Sequence, residues 1–438
     1  MAGRPAAAEV EVSIPEARAI AVALEAEGRQ QDAAAIAAAL LQRDPDDAVA
    51  WILVARIRRA AGDVEGALDA ARRANAAAAT DDERFAAAME LAAGNFLREQ
   101  GLIAQFWLRR AAQVAPTDEL RAAAIRDFRS VRARTPWSYS LSFSVVPSSN
   151  VNNGSRADIV EIAGLPFVLS GDAQALSGVE IAVSGSARLR FAGLGGQPAQ
   201  AYAGFAVQQV VLSDEARRQA PEARGADYAF EAIEVGLSQV VSSWSDDVVL
   251  RFDTLAGRNR YGGAPLSDYL RGGLMAQWAP GQQSLATLAA SVERQKRLDD
   301  PDRSAWVSRV DLRRIWQAGN GDVFGLGGGV RLVQSDSIEI DNDAVLVEVD
   351  YTFAEPVIGP TTLGVGLNVE RRLYDASPFT TDGRQDTRLG IWATLGAPAW
   401  NFYGFGPTMT IEASRTLSNI SLYEAEDIGI RLGITSVF

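Results

Sequence analysis

The 438-residue chain carries no cysteine and no histidine, which excludes thiolate and imidazole catalysis and metal ligation through either residue. A net charge of −13 argues against a partner held by phosphate neutralisation, so no nucleic acid is expected. No stretch offers the roughly 20 uninterrupted apolar residues of a spanning helix. The uncharged runs 191–213, 272–292 and 389–411 are each broken in the middle, by GLGGQP, APGQ and GAPAWN.

The opening MAGRPAAAEVEV has no apolar segment of the signal-peptide kind, and Ala6-Ala7-Ala8 resembles the small-residue end of a cleavage site. Residues 1–15 are therefore expected to be a disordered N-terminus whose signal peptide is absent or removed. From 16 to 133 the sequence is alanine-rich with helical period. EAEGRQQDAAAIAAALLQRDP and RRAAGDVEGALDAARRAN align at a shift of 34, placing Gly28 on Gly62 and Ala33 on Ala67. Pro45 closes the first unit and Trp51 stands early in the second. Pro116 closes a third, GLIAQFWLRRAAQVAP, three residues out of phase. A 34-residue helix–turn–helix unit with small residues at the contacts resembles the tetratricopeptide repeat. An unrelated alanine-rich bundle is the alternative. Stacked repeats present a concave surface to peptides or proteins.

At Trp137 the period becomes two. WSYSLSFSV sets Trp137, Tyr139, Leu141, Phe143 and Val145 against four serines, and DAVLVEVDYTF and TTLGVGLNVERRLY repeat the pattern. Such alternation marks a strand with a different solvent on each face. A soluble sandwich shares it. Fourteen such segments between 137 and 438, an even number of runs of about ten residues, are instead what a closed membrane barrel needs. Short turns alternate with longer, charged connections such as DEARRQAPEARG and RQKRLDDPDR, and the longest, 148–177, is the candidate plug, with an ordinary surface loop as the alternative. The expected fold is thus α plus membrane β: a helical repeat domain over 16–133, then a 14-stranded antiparallel transmembrane β-barrel over 137–438. Its bore is on the order of 28 Å between backbones.

Trp137, Trp244, Trp278, Trp316 and Trp400 fall at strand ends on the short-turn side and are assigned to an aromatic girdle. Phe438 ends the last strand at that level and is expected to serve as the barrel-insertion signal. The inward parity collects Glu180, Arg188, Arg190, Arg251, Asp253, Arg309, Asp311, Arg313, Glu348, Asp350, Glu370, Arg372, Glu412 and Arg431. Both signs are present, so the lumen is expected to be wet without being a simple ion filter. Acid pairs such as Asp299-Asp300 read as solvated charge, so no catalytic residue and no enzymatic activity is expected.

A helical arm before a fourteen-stranded barrel, with WSYSLSFSVVPSSNVNNGS running into Asn150-Val151-Asn152-Asn153, resembles the surface lipoprotein assembly modulator (Slam) family and its barrel opening. The resemblance implies carriage of lipoproteins or soluble proteins across the bacterial outer membrane. It implies a periplasmic arm that receives cargo, and no cofactor or metal. The expected partners are the protein cargo, outer-membrane lipids and the barrel-insertion machinery, around a monomer. The arm, about three repeats, is short. A polysaccharide-export porin and a general diffusion porin are the alternatives.

Overall fold

A computed structural model describes residues 12–162, 165–245 and 247–438, the side chains of 161–162 and 242–245 excepted. The chain forms two compact units. One holds the helices up to Thr135 together with Phe402–Gly404 and Phe438; the other holds Pro136–Asn401 and Phe405–Val437.

The helical unit consists of α1 (Ile14–Ala26), α2 (Gln30–Arg43), α3 (Ala48–Ala60), α4 (Val64–Ala77), α5 (Asp81–Leu97), α6 (Gly101–Val114) and α7 (Asp118–Arg134). The disorder expected over 1–15 falls mostly on residues 1–11, outside the described residues, and the first helix already begins at Ile14. α3 and α4 start 34 residues after α1 and α2. α5 runs to 17 residues, which accounts for the three-residue phase slip of α6. Gly28 and Gly62 end the first helix of their pairs at φ 79° and 81°, the left-handed conformation that closes a helix without a Cβ penalty. Ser13 and Thr80 open α1 and α5 with capping boxes to Glu16 and Glu83. Asp47 caps α3, is itself buried, and is paired with Arg18 at 3.0 Å. Ala33, Ala37, Ala71, Ala74, Ala87 and Ala88 are fully buried beside Leu53, Leu68 and Leu91. Small side chains at the contacts let the helix axes approach closely. A second set of ties is ionic: Arg56 and Arg59 hold the buried Glu90 at 3.2 and 2.9 Å, and Arg56 also reaches Glu25 at 3.6 Å.

The barrel is closed and antiparallel. Its strands are β1 (Trp137–Ser148), β4 (Gly178–Ala192), β5 (Pro198–Leu212), β6 (Phe230–Ser245), β7 (Val248–Tyr261), β8 (Ala264–Gly281) and β9 (Ser284–Arg297). They continue as β10 (Ala305–Gln317), β11 (Val323–Ser335), β12 (Asn342–Thr352), β13 (Thr362–Tyr374), β14 (Arg384–Gly396), β15 (Phe405–Ser418) and β16 (Ala425–Ser436). The short strands β2 (Ile159–Ile162) and β3 (Leu165–Val168) form a separate hairpin inside the 148–177 connection. Each barrel strand pairs with its neighbours in sequence, and β1 closes on β16. All fourteen expected strands are present, and the fold class is as expected.

The apolar parity faces outward. Leu141 is 74% exposed, Ile233 64% and Ile391 62%. One connection departs from the pattern of long loops: β7 and β8 join through Gly262-Gly263, at φ 56° and 77°. Positive φ at two successive residues is the geometry of a tight hairpin turn, which glycine adopts without strain. On the other side, the turn after β14 runs from 397 to 404, because β15 starts only at Phe405.

Candidate functional site: the barrel interior

Bridges that cross a strand organise the inner wall. On β10, Arg313 Nη1 donates to Glu348 Oε1 at 2.7 Å and Nη2 donates to Asp350, both on β12. β11 lies between those strands, and it supplies Gly325, Gly327 and Gly329 at the facing positions. A Cβ on Gly325 would collide with the Asp350 carboxylate, and one on Gly329 with Asp311. The run GLGGG is therefore a bare floor over which long side chains from both neighbours meet. The same device recurs across β7. Tyr269 on β8 donates to Glu234 on β6 at 3.1 Å, and a Cβ on the intervening Gly257 would collide with the Tyr269 hydroxyl. Tyr202 on β5 donates to the same carboxylate, and the Arg188 guanidinium lies 5.1 Å from the Tyr202 ring.

The structure also pairs Glu370 with Arg372 at 2.5 Å and with Arg331 at 3.1 Å, Arg309 with Asp311 at 2.6 Å, and Arg431 with Glu412 at 2.9 Å. Glu180 accepts from Gln208 at 3.1 Å. Arg251 and Asp253 form no ion pair among the described residues, although Asp253 lies against Gly273. Arg190 sits near the short-turn end of β4, its backbone amide donating to Pro136. Sequence reading missed Arg331, Tyr202, Glu234, Tyr269 and Trp392. Arg331 shares the parity of the glycines before it, and that signal was available. The tyrosines and Glu234 meet only through the cross-strand register, which period two does not reveal.

A cavity of about 540 Å3 opens in this wall, lined by Arg313, Asp350, Trp392, Thr394, Thr408 and Thr435 among others. The Trp392 ring lies across Gly366 of β13, where a Cβ would collide with it. Charged, hydroxyl and aromatic surfaces thus converge at one level.

Of the tryptophans assigned to a girdle, Trp137 opens β1 and stacks on Tyr139 at 6.0 Å. Trp316 lies 4.4 Å from Phe324, and the rings continue through Tyr351 to Phe353. Trp278 is in β8, and Trp400 is exposed in the turn after β14. Trp244 is in β6, but its side chain is outside the described residues. Phe438 lies beyond the end of β16 and belongs to the helical unit. Outside the strands, Asp322 accepts from the Ala354 amide at 2.7 Å and from the Tyr351 hydroxyl. These hydrogen bonds hold its carboxyl below the usual carboxylate range.

At the long-loop end, the asparagine-rich segment is a folded anchor. Asn152 donates to the Asp172 and Gln174 carbonyls at 2.9 and 2.8 Å and accepts from the Leu176 amide at 2.8 Å. Val151 and Leu176 pack with Val210, Leu212, Ala216 and Ala220. Asn150 donates to the Glu426 carbonyl at 3.1 Å, and Arg156 pairs with Glu424 and Glu426, each at 3.3 Å. The connection proposed as a plug is thus tied to the rim. Residues 163–164 within it are outside the described residues.

No protein-family model matches the chain, and no curated protein matches it. Among solved structures, it is similar to the outer membrane channel DcaP of Acinetobacter baumannii, at 9% identity and TM-score 0.37 over 68% of this chain and 97% of that one. A bacterial polysaccharide outer membrane secretin matches at 9% and 0.34, over 68% and 98%. The type III secretion translocator chaperone SycD of Yersinia enterocolitica matches at 16% and 0.25, over 28% and 88%. At these scores the likenesses carry no argument about this chain.

Proposed function

We propose that the chain is an outer-membrane translocon that exports a lipoprotein or soluble protein, or displays it at the cell surface. The helical repeats receive the cargo in the periplasm and the barrel passes it outward. One observation carries the reading: a closed barrel with an apolar outer face and a polar, bridged inner wall follows a unit of paired helices repeating every 34 residues. The outer face suits hydrocarbon, where closure leaves no backbone group unsatisfied. The inner face suits water and a polar chain in transit. Fourteen strands return the chain to the side from which it entered, so the arm, the short turns and the aromatic strand ends share the periplasmic side in this reading. The paired helices, resembling tetratricopeptide repeats, offer a surface for a polypeptide. A barrel needs no such arm for its own stability.

The second reading is a polysaccharide-export porin, and the observation that favours it is Trp392 lying flat in the cavity beside threonines. One deletion separates the two. Removing residues 1–133 is expected to leave a folded, heat-modifiable barrel from Trp137 onward and to strand a neighbour-encoded protein in the periplasm. Surface display at the full-length rate would end the protein-export reading. Undiminished display together with loss of surface polysaccharide in Trp392→Ala cells would favour the second.

A further inference from the structure

The close of α7, the start of α6 and the close of α5 lie at one end of the helical unit. The Thr135 hydroxyl, just past α7, accepts from Gln105 Nε2 at 3.3 Å, and a Cβ on Gly101 would collide with it. The Arg134 guanidinium lies 5.9 Å from the ring of Phe96, which packs against the cluster of Leu108, Phe128 and Val131. This is the end from which the chain leaves the helices: Trp137, the first residue of β1, follows Arg134 by three positions.

Two properties coincide there. The first is apolar exposure. Leu97 and Phe106 are more than half exposed, at 53% and 56%, and Leu102 and Ile103 are exposed with them. Leu102, Ile103 and Phe106 share one face of α6, since Phe106 is i+4 from Leu102 and i+3 from Ile103. The second is charge. From Gly101 to Thr117 the chain has Arg109 and Arg110 and no carboxylate. From Phe128 to Trp137 it has Arg129, Arg132 and Arg134, again with no carboxylate, and all three are exposed. The turn before α6 adds Arg98 and Glu99, which cancel. Cations in a last helical turn complement the helix dipole, and that alone accounts for Arg132 and Arg134. It does not account for leucine, isoleucine and phenylalanine left in water at the same end.

We propose that this end of the helical unit is a docking surface for an anionic phospholipid bilayer, on the leaflet at which β1 begins. The four apolar side chains enter the interfacial layer, and Arg129, Arg132 and Arg134 pair with lipid phosphates. An apolar face rimmed by arginine is the composition of helices that lie in a headgroup layer. Cations directly before a membrane-spanning segment are drawn to negative lipid. Continuity of the chain serves both, because it runs from Arg134 straight into a strand whose outer face is apolar. The inference names a lipid partner for the helices, and it rests on the membrane placement of the barrel proposed above.

The natural absence of cysteine makes the test direct. The full chain with Ile103→Cys, and a control with Asp69→Cys at an exposed site on α4, are labelled with an environment-sensitive fluorophore. They are refolded into vesicles of phosphatidylcholine, or of phosphatidylcholine and phosphatidylglycerol, containing lipid spin-labelled near the headgroup. Quenching at Ile103→Cys is expected to be at least threefold greater in the phosphatidylglycerol vesicles and to fall to the phosphatidylcholine level in high salt. The label at Asp69→Cys is expected to respond to neither. Adding Arg129→Gln, Arg132→Gln and Arg134→Gln is expected to remove the difference between the vesicles, and the salt titration tests the same charges without altering the chain further. Quenching that ignores lipid charge and salt overturns the proposal. A label unquenched in every vesicle also overturns it, and shielding of that label by a peptide of glutamate and leucine would assign the surface to a polypeptide instead. Heat-modified gel mobility of the same samples reports whether the barrel has inserted, so failure of the docking surface and failure of the membrane reading are told apart.

Discussion

The two units bury opposite kinds of residue. In the helices, alanine and leucine are hidden: Leu53 is fully buried and its neighbours are alanines. In the barrel the large aliphatics are on display, while serine, glycine and paired charges line the other face. One chain, with one amino-acid alphabet, thus carries two folding solutions. The helical unit is organised against water. The barrel is organised against a solvent as apolar as leucine itself, and its cohesion comes from backbone ladders rather than from a hydrophobic centre.

Five substitutions, two of them controls, test that contrast, and the other three run from the largest effect down. Leu53→Ala, at the centre of the helical unit, is expected to cost about 2–5 kcal/mol as a transfer and cavity loss. The loss is read as an earlier helical transition by circular dichroism, with heat-modified gel mobility of the barrel unchanged. A barrel that falls with it would make the units one cooperative body.

Leu432→Arg places charge on the outer face of β16 and is expected to cost about 2–4 kcal/mol near a bilayer midplane. Arg431→Leu, one residue away, exchanges its Glu412 partner for a wet wall and is expected to be tolerated. Phe106→Arg, at a site 56% exposed on α6, is expected to change stability by no more than about 0.5 kcal/mol. If Leu432→Arg proves as mild as Phe106→Arg in vesicle refolding, the outer face does not meet lipid.

The finest probe is Gly325→Val. A side chain there displaces Asp350 from Arg313, and the expected cost is about 1–3 kcal/mol for groups left without their partners. It is expected to shift single-channel ion preference, because the bridge no longer neutralises the arginine. An unchanged preference would show that the glycine floor serves packing alone.

Much of this was legible in the chain. Period two is a strong signal when it persists, and the strand ends fell close to where Gly, Pro and charge clusters put them. The 34-residue shift announced the helix pairs, because Gly28 and Gly62 do the same conformational job. What stayed hidden needed register. Nothing in GLGGG says that Arg313 and Asp350 meet above it until β10 and β12 are known to flank β11. Trp392 was passed over because it stands on the inward parity between Gly390 and Thr394, where charge rather than an aromatic ring marks a polar wall.

The two-glycine turn between β7 and β8 has a topographic consequence. Most crossings at that end of the barrel are made by segments of six or more residues, so the rim there is a palisade with one notch. The notch stands five strands round the wall from the β1–β16 seam, counted through β1, β4, β5, β6 and β7. Bulky reagents approaching this end of the barrel would meet the least steric hindrance above Gly262 and Gly263. The long-loop end of the barrel therefore has a front and a back.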